Sequence, residues 1–194
     1  MIVWVRMFFV ALALAGAGGV FAHGVTLDAY SPEAEQSAFH REFLVPWIEK
    51  VEKQAGGRVH MHLHPATGGD VYAQLSDGGY DIAWTPIAPS AERFATLAKL
   101  PAPDLSGGLE AASRALWESA RMNDVLDRDF DGVHVFALHY GVPAEAGGKP
   151  RVFVFGMSSG AWRGLSDELK AVFDANGGPE TCAWLAKVMG KAEK

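Results

Sequence analysis

Gly78-Gly79-Tyr80-Asp81-Ile82-Ala83-Trp84 decides the fold. The two glycines stop one element, and residues 80–84 read as a strand. Immediately upstream, residues 71–76 read as a short helix and residues 65–69 as a turn, so a strand follows a helix at close range. Residues 58–64 form an earlier strand, preceded by a helix that Gly56-Gly57 brings to an end. That helix carries Phe39, Phe43, Trp47, Ile48 and Val51 at helical spacing. Its expected start is Ser31-Pro32-Glu33, a cap residue, a proline at the first helical position and an acid in the first turn. Pro46 is expected to kink or divide it. Residues 24–29 read as the first strand, with Val25, Leu27 and Ala29 on one face.

Downstream the alternation continues. A loop over 86–103 holds a short helix at 92–98, and residues 110–126 form an amphipathic helix with Ala111, Leu116, Trp117 and Val125. Asp131-Gly132 turns the chain into a strand at 133–140. Residues 141–150 (GVPAEAGGKP) are a Gly/Pro/Ala linker. A strand at 151–157 follows, then a turn at 162–165, a helix at 167–176 capped by Ser166, and a last helix at 181–189. Strands alternating with helices predict an α/β fold with a parallel or mixed sheet, ligands lying beyond the C-terminal ends of the strands.

Composition bounds the function. The chain has 194 residues, 49% hydrophobic and 21% charged, which is a globular balance. A formal net charge of −6 gives nucleic acid no electrostatic footprint. Arg6, an apolar run over 7–14 and small residues up to Ala22 have the order of a secretory signal peptide, residues 1–22. A membrane anchor is the competing reading, but residues 7–22 carry three glycines and fall short of the roughly 20 apolar residues a span needs. The expectation is an exported, periplasmic protein. Cys182 is the sole cysteine, so no internal disulfide forms, and a buried inert thiol is expected there.

A set of short motifs follows in order along most of the exported chain. Trp47 and Val51-Glu52 lie on the first helix, and Gly57-Arg58-Val59 opens the second strand. Gly79-Tyr80-Asp81-Ile82-Ala83 comes next, then Phe94 with Leu100-Pro101. Late in the chain stand Phe153-Val154-Phe155-Gly156-Met157, Trp162, Leu165-Ser166-Asp167-Glu168-Leu169 and Gly177-Gly178. In this order they resemble the substrate-binding proteins of tripartite ATP-independent periplasmic (TRAP) transporters, of the four-carbon-dicarboxylate-binding type. Ala102 stands where the family has a phenylalanine after Leu-Pro.

The resemblance implies a periplasmic-binding-protein-like lobe, a parallel or mixed sheet flanked by helices. It also implies a non-enzymatic, cofactor-free protein that delivers a small-molecule carboxylate to the membrane permease subunits of a secondary transporter. Family members fold as two lobes around a cleft, and an arginine in an Asp-Leu-x-Gly-x-Lys-x-Arg motif grips the carboxylate. This sequence departs from that plan, because Gly141 is followed within ten residues by Arg151, already in the late strand. The helical stretch at the end also stops short, at Lys194. The domain reading is therefore a signal peptide at 1–22, a first lobe at 23–140, a linker at the site of an internal deletion at 141–150, and a returning strand with C-terminal helices at 151–194.

Candidate site residues follow. Gly147-Gly148-Lys149-Pro150-Arg151-Val152 reads Gly-x-Lys-x-Arg-Val, which makes Arg151 the candidate carboxylate fork; the alternative is an exposed residue where a strand begins. Tyr30, Trp84 and Thr85 are expected to contact the solute, since they stand at the C-terminal ends of the first and third strands as read here. His60, His62 and His64 share one face of the second strand and are a candidate Zn or Cu ligand set, with a solvated or helix-covered face as the alternative. His23, the N-terminus after cleavage, could chelate copper. Asp127, Asp129 and Asp131 read as a solvated turn rather than a calcium loop, because no glutamate follows at the required distance. Gly156-Met157-Ser158-Ser159-Gly160 lacks the spacing of a nucleophile elbow and reads as a turn. Two further readings stay open: a periplasmic metal-binding module built on the histidine strand, and a non-binding remnant that self-associates through the lobe face the deletion exposes.

Overall fold

Alternation of apolar and polar residues in Val25-Thr26-Leu27-Asp28-Ala29-Tyr30-Ser31 produces β1 (Val25–Ser31), with Leu27, Ala29 and Ser31 buried, Val25 half-buried on the same face, and Thr26, Asp28 and Tyr30 on the other. β2 (Val59–Pro65) repeats the pattern and pairs with β1 in parallel from Val25↔Val59 to Ser31↔Pro65. The computed structural model describes residues 24–66, 68–88, 92–142 and 150–191. The expected signal peptide, His23 and most of the linker (143–149) lie outside the described residues.

β3 (Ile82–Ile87) joins the other side of β1, but only Ala29↔Ile82 and Tyr30↔Ala83 pair. Beyond Ala83 that edge of β3 is free, which is why Pro86, lacking an N–H, is accommodated inside the strand. The strand therefore runs three residues past the expected end at Trp84. β4 (Val133–Gly141) and β5 (Arg151–Ser158) form an antiparallel pair, and β5 also lies antiparallel to β3. The sheet order is β2-β1-β3-β5-β4, a mixed sheet. β5 is buried from Val152 to Ser158, as a central strand covered on both faces must be.

The helix expected from Ser31 begins later. The Ser31 hydroxyl accepts the Glu33 N–H at 3.0 Å and closes a turn at the end of β1, whereas the Ser37 hydroxyl accepts the His40 N–H at 3.2 Å, where the helical run starts. A π turn (His40–Leu44) leads into α1 (Val45–Gln54), with Pro46 in its first turn. Pro46 has no N–H for the carbonyl four residues earlier, that of Glu42, and this oxygen accepts the Trp184 indole at 2.9 Å. The expected disruption at Pro46 thus takes the form of a π turn. Phe39, Phe43, Trp47 and Val51 are buried as their spacing requires. Phe39 lies 4.2 Å from Trp84 between ring centroids, and Trp47 lies 4.7 Å from Phe155, so this segment seals one face of β3 and β5.

α2 (Val71–Ser76) is capped by Asp70, which accepts the Ala73 N–H. Two short 3-10 turns, Glu92–Phe94 and Leu97–Lys99, replace the single expected helix there. The amphipathic segment divides into α3 (Gly108–Met122) and α4 (Val125–Asp129), broken where Asp124 takes a left-handed φ of 55°. α5 (Ser159–Gly164), α6 (Asp167–Asp174) and α7 (Pro179–Lys191) complete the described chain. Ser158 caps α5 and Ser166 caps α6. The outer edge of β4 is closed by helices: Tyr140 N–H donates to Ser113 of α3 at 3.0 Å, and the Gly178 N–H, just before α7, donates to the Phe136 carbonyl at 2.7 Å. No described helix is long and apolar enough to cross a membrane.

Candidate functional site

The pairing of β4 with β5 sets Gly141 opposite Arg151, so the chain leaves and rejoins the sheet at one point. Next to that point, Ile87 pairs with Val152. Pro86, Ile87, Ala88, Pro150, Arg151 and Val152 line a concavity of about 540 Å³ at the C-terminal end of β3. Its walls are apolar except for Arg151, which is exposed and has no ion pair among the described residues. A guanidinium placed on an apolar rim can take a carboxylate bidentately while the body of the solute lies against Ile87 and Val152.

The other expected solute contacts do not converge on this mouth. Trp84 is 1% exposed, stacked on Phe153 at 4.6 Å and 7°, with its indole N–H donated to His139 Nε2 at 2.9 Å. It is a core residue, because the strand continues past it. Thr85 is buried and its hydroxyl donates to the Pro86 carbonyl at 3.3 Å. Tyr30 is half-buried and sits level with Ala83, four residues back along β3 from Ile87, or about 13 Å along the strand. Of the four, only Arg151 stands at the concavity. Ile87 and Val152, the apolar partners at this mouth, were not singled out from sequence; Pro86 read as a strand end concealed Ile87.

A second cluster lies on the outward face of β1 and β2. The register places Thr26 beside His60, Asp28 beside His62 and Tyr30 beside His64. Asp28 Oδ1 is 2.8 Å from His64 Nε2 and 3.9 Å from His62 Nδ1. His60 belongs to the same stripe but not to this group. The expected set of three imidazoles thus becomes two imidazoles and a carboxylate from the neighbouring strand. Tyr30 stacks on Tyr80 at 3.8 Å and on His64 at 5.2 Å. Its hydroxyl is held above the ordinary tyrosine value, chiefly by desolvation and then by the Asp28 charge.

Two further ionisable groups, Asp129 and Cys182, are structural. Asp129, expected on a solvated turn, is buried, and its carboxylate accepts the Thr96 N–H at 3.2 Å and the Leu97 N–H at 2.6 Å. Cys182 is buried, and desolvation pushes its thiol up to about 12, which makes it the inert thiol expected.

No family model matches the chain, and no curated protein matches it. Solved structures do. A TRAP solute-binding protein from Rhodoferax ferrireducens T118 in complex with copurified benzoate aligns with a TM-score of 0.72 at 22% identity, covering 87% of this chain and 79% of that one. A marine-metagenome TRAP solute-binding protein specific for aromatic acid ligands, with 3-hydroxybenzoate, aligns with a TM-score of 0.73 at 20% identity, covering 88% and 80%. A TRAP periplasmic solute-binding protein from Bordetella bronchiseptica with bound (R)- and (S)-mandelate aligns with a TM-score of 0.72 at 14% identity, covering 87% and 80%. The chain has the α/β, periplasmic-binding-protein-like fold of these TRAP solute-binding proteins, a mixed sheet flanked by helices.

Proposed function

We propose that this chain is a periplasmic solute-binding protein that delivers a small organic acid to the membrane permease subunits of a TRAP-type secondary transporter. The supporting observation is Arg151, a guanidinium without an ion pair among the described residues, at an apolar mouth of the sheet in a fold shared with proteins crystallised with benzoate, 3-hydroxybenzoate and mandelate. It acts by binding and not by catalysis. The same mouth offers one cation among its described lining residues. One cation suits one carboxylate on an apolar body, so the proposed solute is an aromatic monocarboxylate rather than the four-carbon dicarboxylate expected from sequence.

In this reading residues 23–140 form the lobe, residues 141–150 stand where a second lobe would be inserted, and β5 is the returning strand. A ligand on a single lobe keeps one side in water, so affinity is weak. The large apolar side chains exposed among the described residues are Val45, Leu105 and Met122, which lie on different elements. Their scatter over the described residues favours solute binding over a self-associating remnant.

Calorimetric titration of the full chain, in chelator, with benzoate, 3-hydroxybenzoate, mandelate and succinate tests the proposal. Saturable binding of an aromatic acid is expected, lost in Arg151→Ala with the apo melting temperature unchanged. Binding of succinate alone would overturn the choice of solute. Absence of saturable binding to every acid would overturn the function.

A further inference from the structure

Away from the β3–β5 mouth, strand alternation and a parallel register bring three good metal donors to one surface. The geometry points to a Zn²⁺ site formed by Asp28, His62 and His64, with its fourth position open to water. One ligand atom from each residue lies within 4.8 Å of the other two. A tetrahedral Zn²⁺ with Zn–N and Zn–O lengths of about 2.0–2.2 Å sets its ligand atoms roughly 3.3 Å apart. The Asp28 contacts of 2.8 Å to His64 and 3.9 Å to His62 straddle that spacing. The His62 side chain is 65% exposed and is free to rotate inward to close the remaining gap.

The donors are also supported from behind. Tyr30 lies between the Tyr80 and His64 rings, which fixes the plane of the His64 imidazole. The Asp28 N–H donates to Asp81 Oδ2 at 2.9 Å, anchoring the β1 backbone at the carboxylate ligand and adding negative charge close by. Two imidazoles and a carboxylate form a borderline donor set that suits Zn²⁺ over Mg²⁺ or Ca²⁺. His60 stands one same-face step away, about 6.6 Å along the strand, with Thr26 as its neighbour in place of an acid. Three protein donors and an open position leave the ion able to hold water or an incoming carboxylate oxygen.

The site stands on other strands than Arg151, so it does not depend on the transport reading. The test is calorimetric titration of the tag-free, chelator-treated full chain with Zn²⁺ at neutral pH. Absorption of the Co²⁺-loaded protein then reports the coordination geometry. One ion per chain and a four-coordinate Co²⁺ spectrum are expected. Asp28→Asn, His62→Gln and His64→Gln each weaken binding by about tenfold or more, with melting temperatures of the metal-free variants near that of the parent. His60→Gln and His23→Gln leave binding intact. No saturable Zn²⁺ binding, or binding that His60→Gln or His23→Gln abolishes, would overturn the assignment. So would an Asp28→Asn affinity equal to the parent's.

Discussion

Trp84 on β3 and His139 on β4 are joined across the strand between them: the indole N–H donates to the imidazole Nε2 at 2.9 Å, and both rings stack on Phe153 of β5. His139 Nδ1 lies 3.0 Å from the Tyr140 carbonyl, so it carries the proton and donates, and Nε2 accepts. The pair needs a neutral imidazole. Burial accordingly pushes His139 down to about 4 from an ordinary 6.5.

The consequence is acid sensitivity with a defined window. Between about pH 6.5 and 4 the unfolded chain takes up a proton at this residue and the folded chain does not, so stability falls as pH falls through that range. The full loss is on the order of 3 kcal/mol. Urea midpoints of the parent should drop across this window, whereas those of His139→Gln, which keeps an acceptor for Trp84, should drop much less. His40, also lowered by burial, acts in the same direction and is present in both proteins. Parallel curves for the two proteins would refute the assignment.

Asp129 supports a prediction about the loop after β3. Its carboxylate takes the Thr96 and Leu97 N–H groups that open the Leu97–Lys99 turn. Asp129→Ala leaves both donors without that acceptor and should cost about 1–3 kcal/mol in urea unfolding. Asp129→Asn, which retains an oxygen, should lose less. Equal losses would show that the acceptor geometry is not what matters there.

Gly156 gives the third prediction. A Cβ at this position would sit 2.8 Å from the His134 carbonyl oxygen and 2.8 Å from Val133 Cγ1. The partner strand bulges between Val135 and Ala137 just beside it. Backbone cannot yield as a side-chain tip can, so Gly156→Ala should destabilise by about 1–3 kcal/mol. The neutral comparison is Gly164→Ala, where a Cβ meets nothing within 4 Å and the melting temperature should hardly change.

Local signals carried much of the fold. Residues 71–76 form a helix within the expected bounds, and Ser166 caps α6 as its position before Asp167 and Glu168 suggests. β2, β4 and β5 fall within a residue or two of the expected strands. What failed were signals with two local outcomes. Ser31-Pro32-Glu33 opens a helix or closes a turn with the same hydroxyl, and here it closes a turn. Pro86 ends a strand or rides on its free edge, and which occurs depends on how far β1 reaches. That error alone placed Trp84 and Thr85 at a cleft when they belong to the core. The histidine stripe was legible as a stripe. That Asp28 meets His62 and His64, leaving His60 aside, depends on a register between strands more than thirty residues apart, which no local pattern contains. Asp129 reads as part of a solvated turn because an acid there looks exposed until the backbone whose N–H groups it accepts is folded beside it.

β5 lying antiparallel between β3 and β4 has an architectural consequence. The sheet is complete whether residues 142–150 are a turn or the doorway to another whole body of protein, because both ends of any insert emerge side by side from hydrogen-bonded neighbours. Lengthening a connection there is thermodynamically gentle, each doubling costing only about 0.6 kcal/mol in closure. A gene encoding this scaffold can therefore acquire or shed a cassette at that junction in one event and still yield a folded product. β4 and β5 keep the same register whatever length of chain joins them.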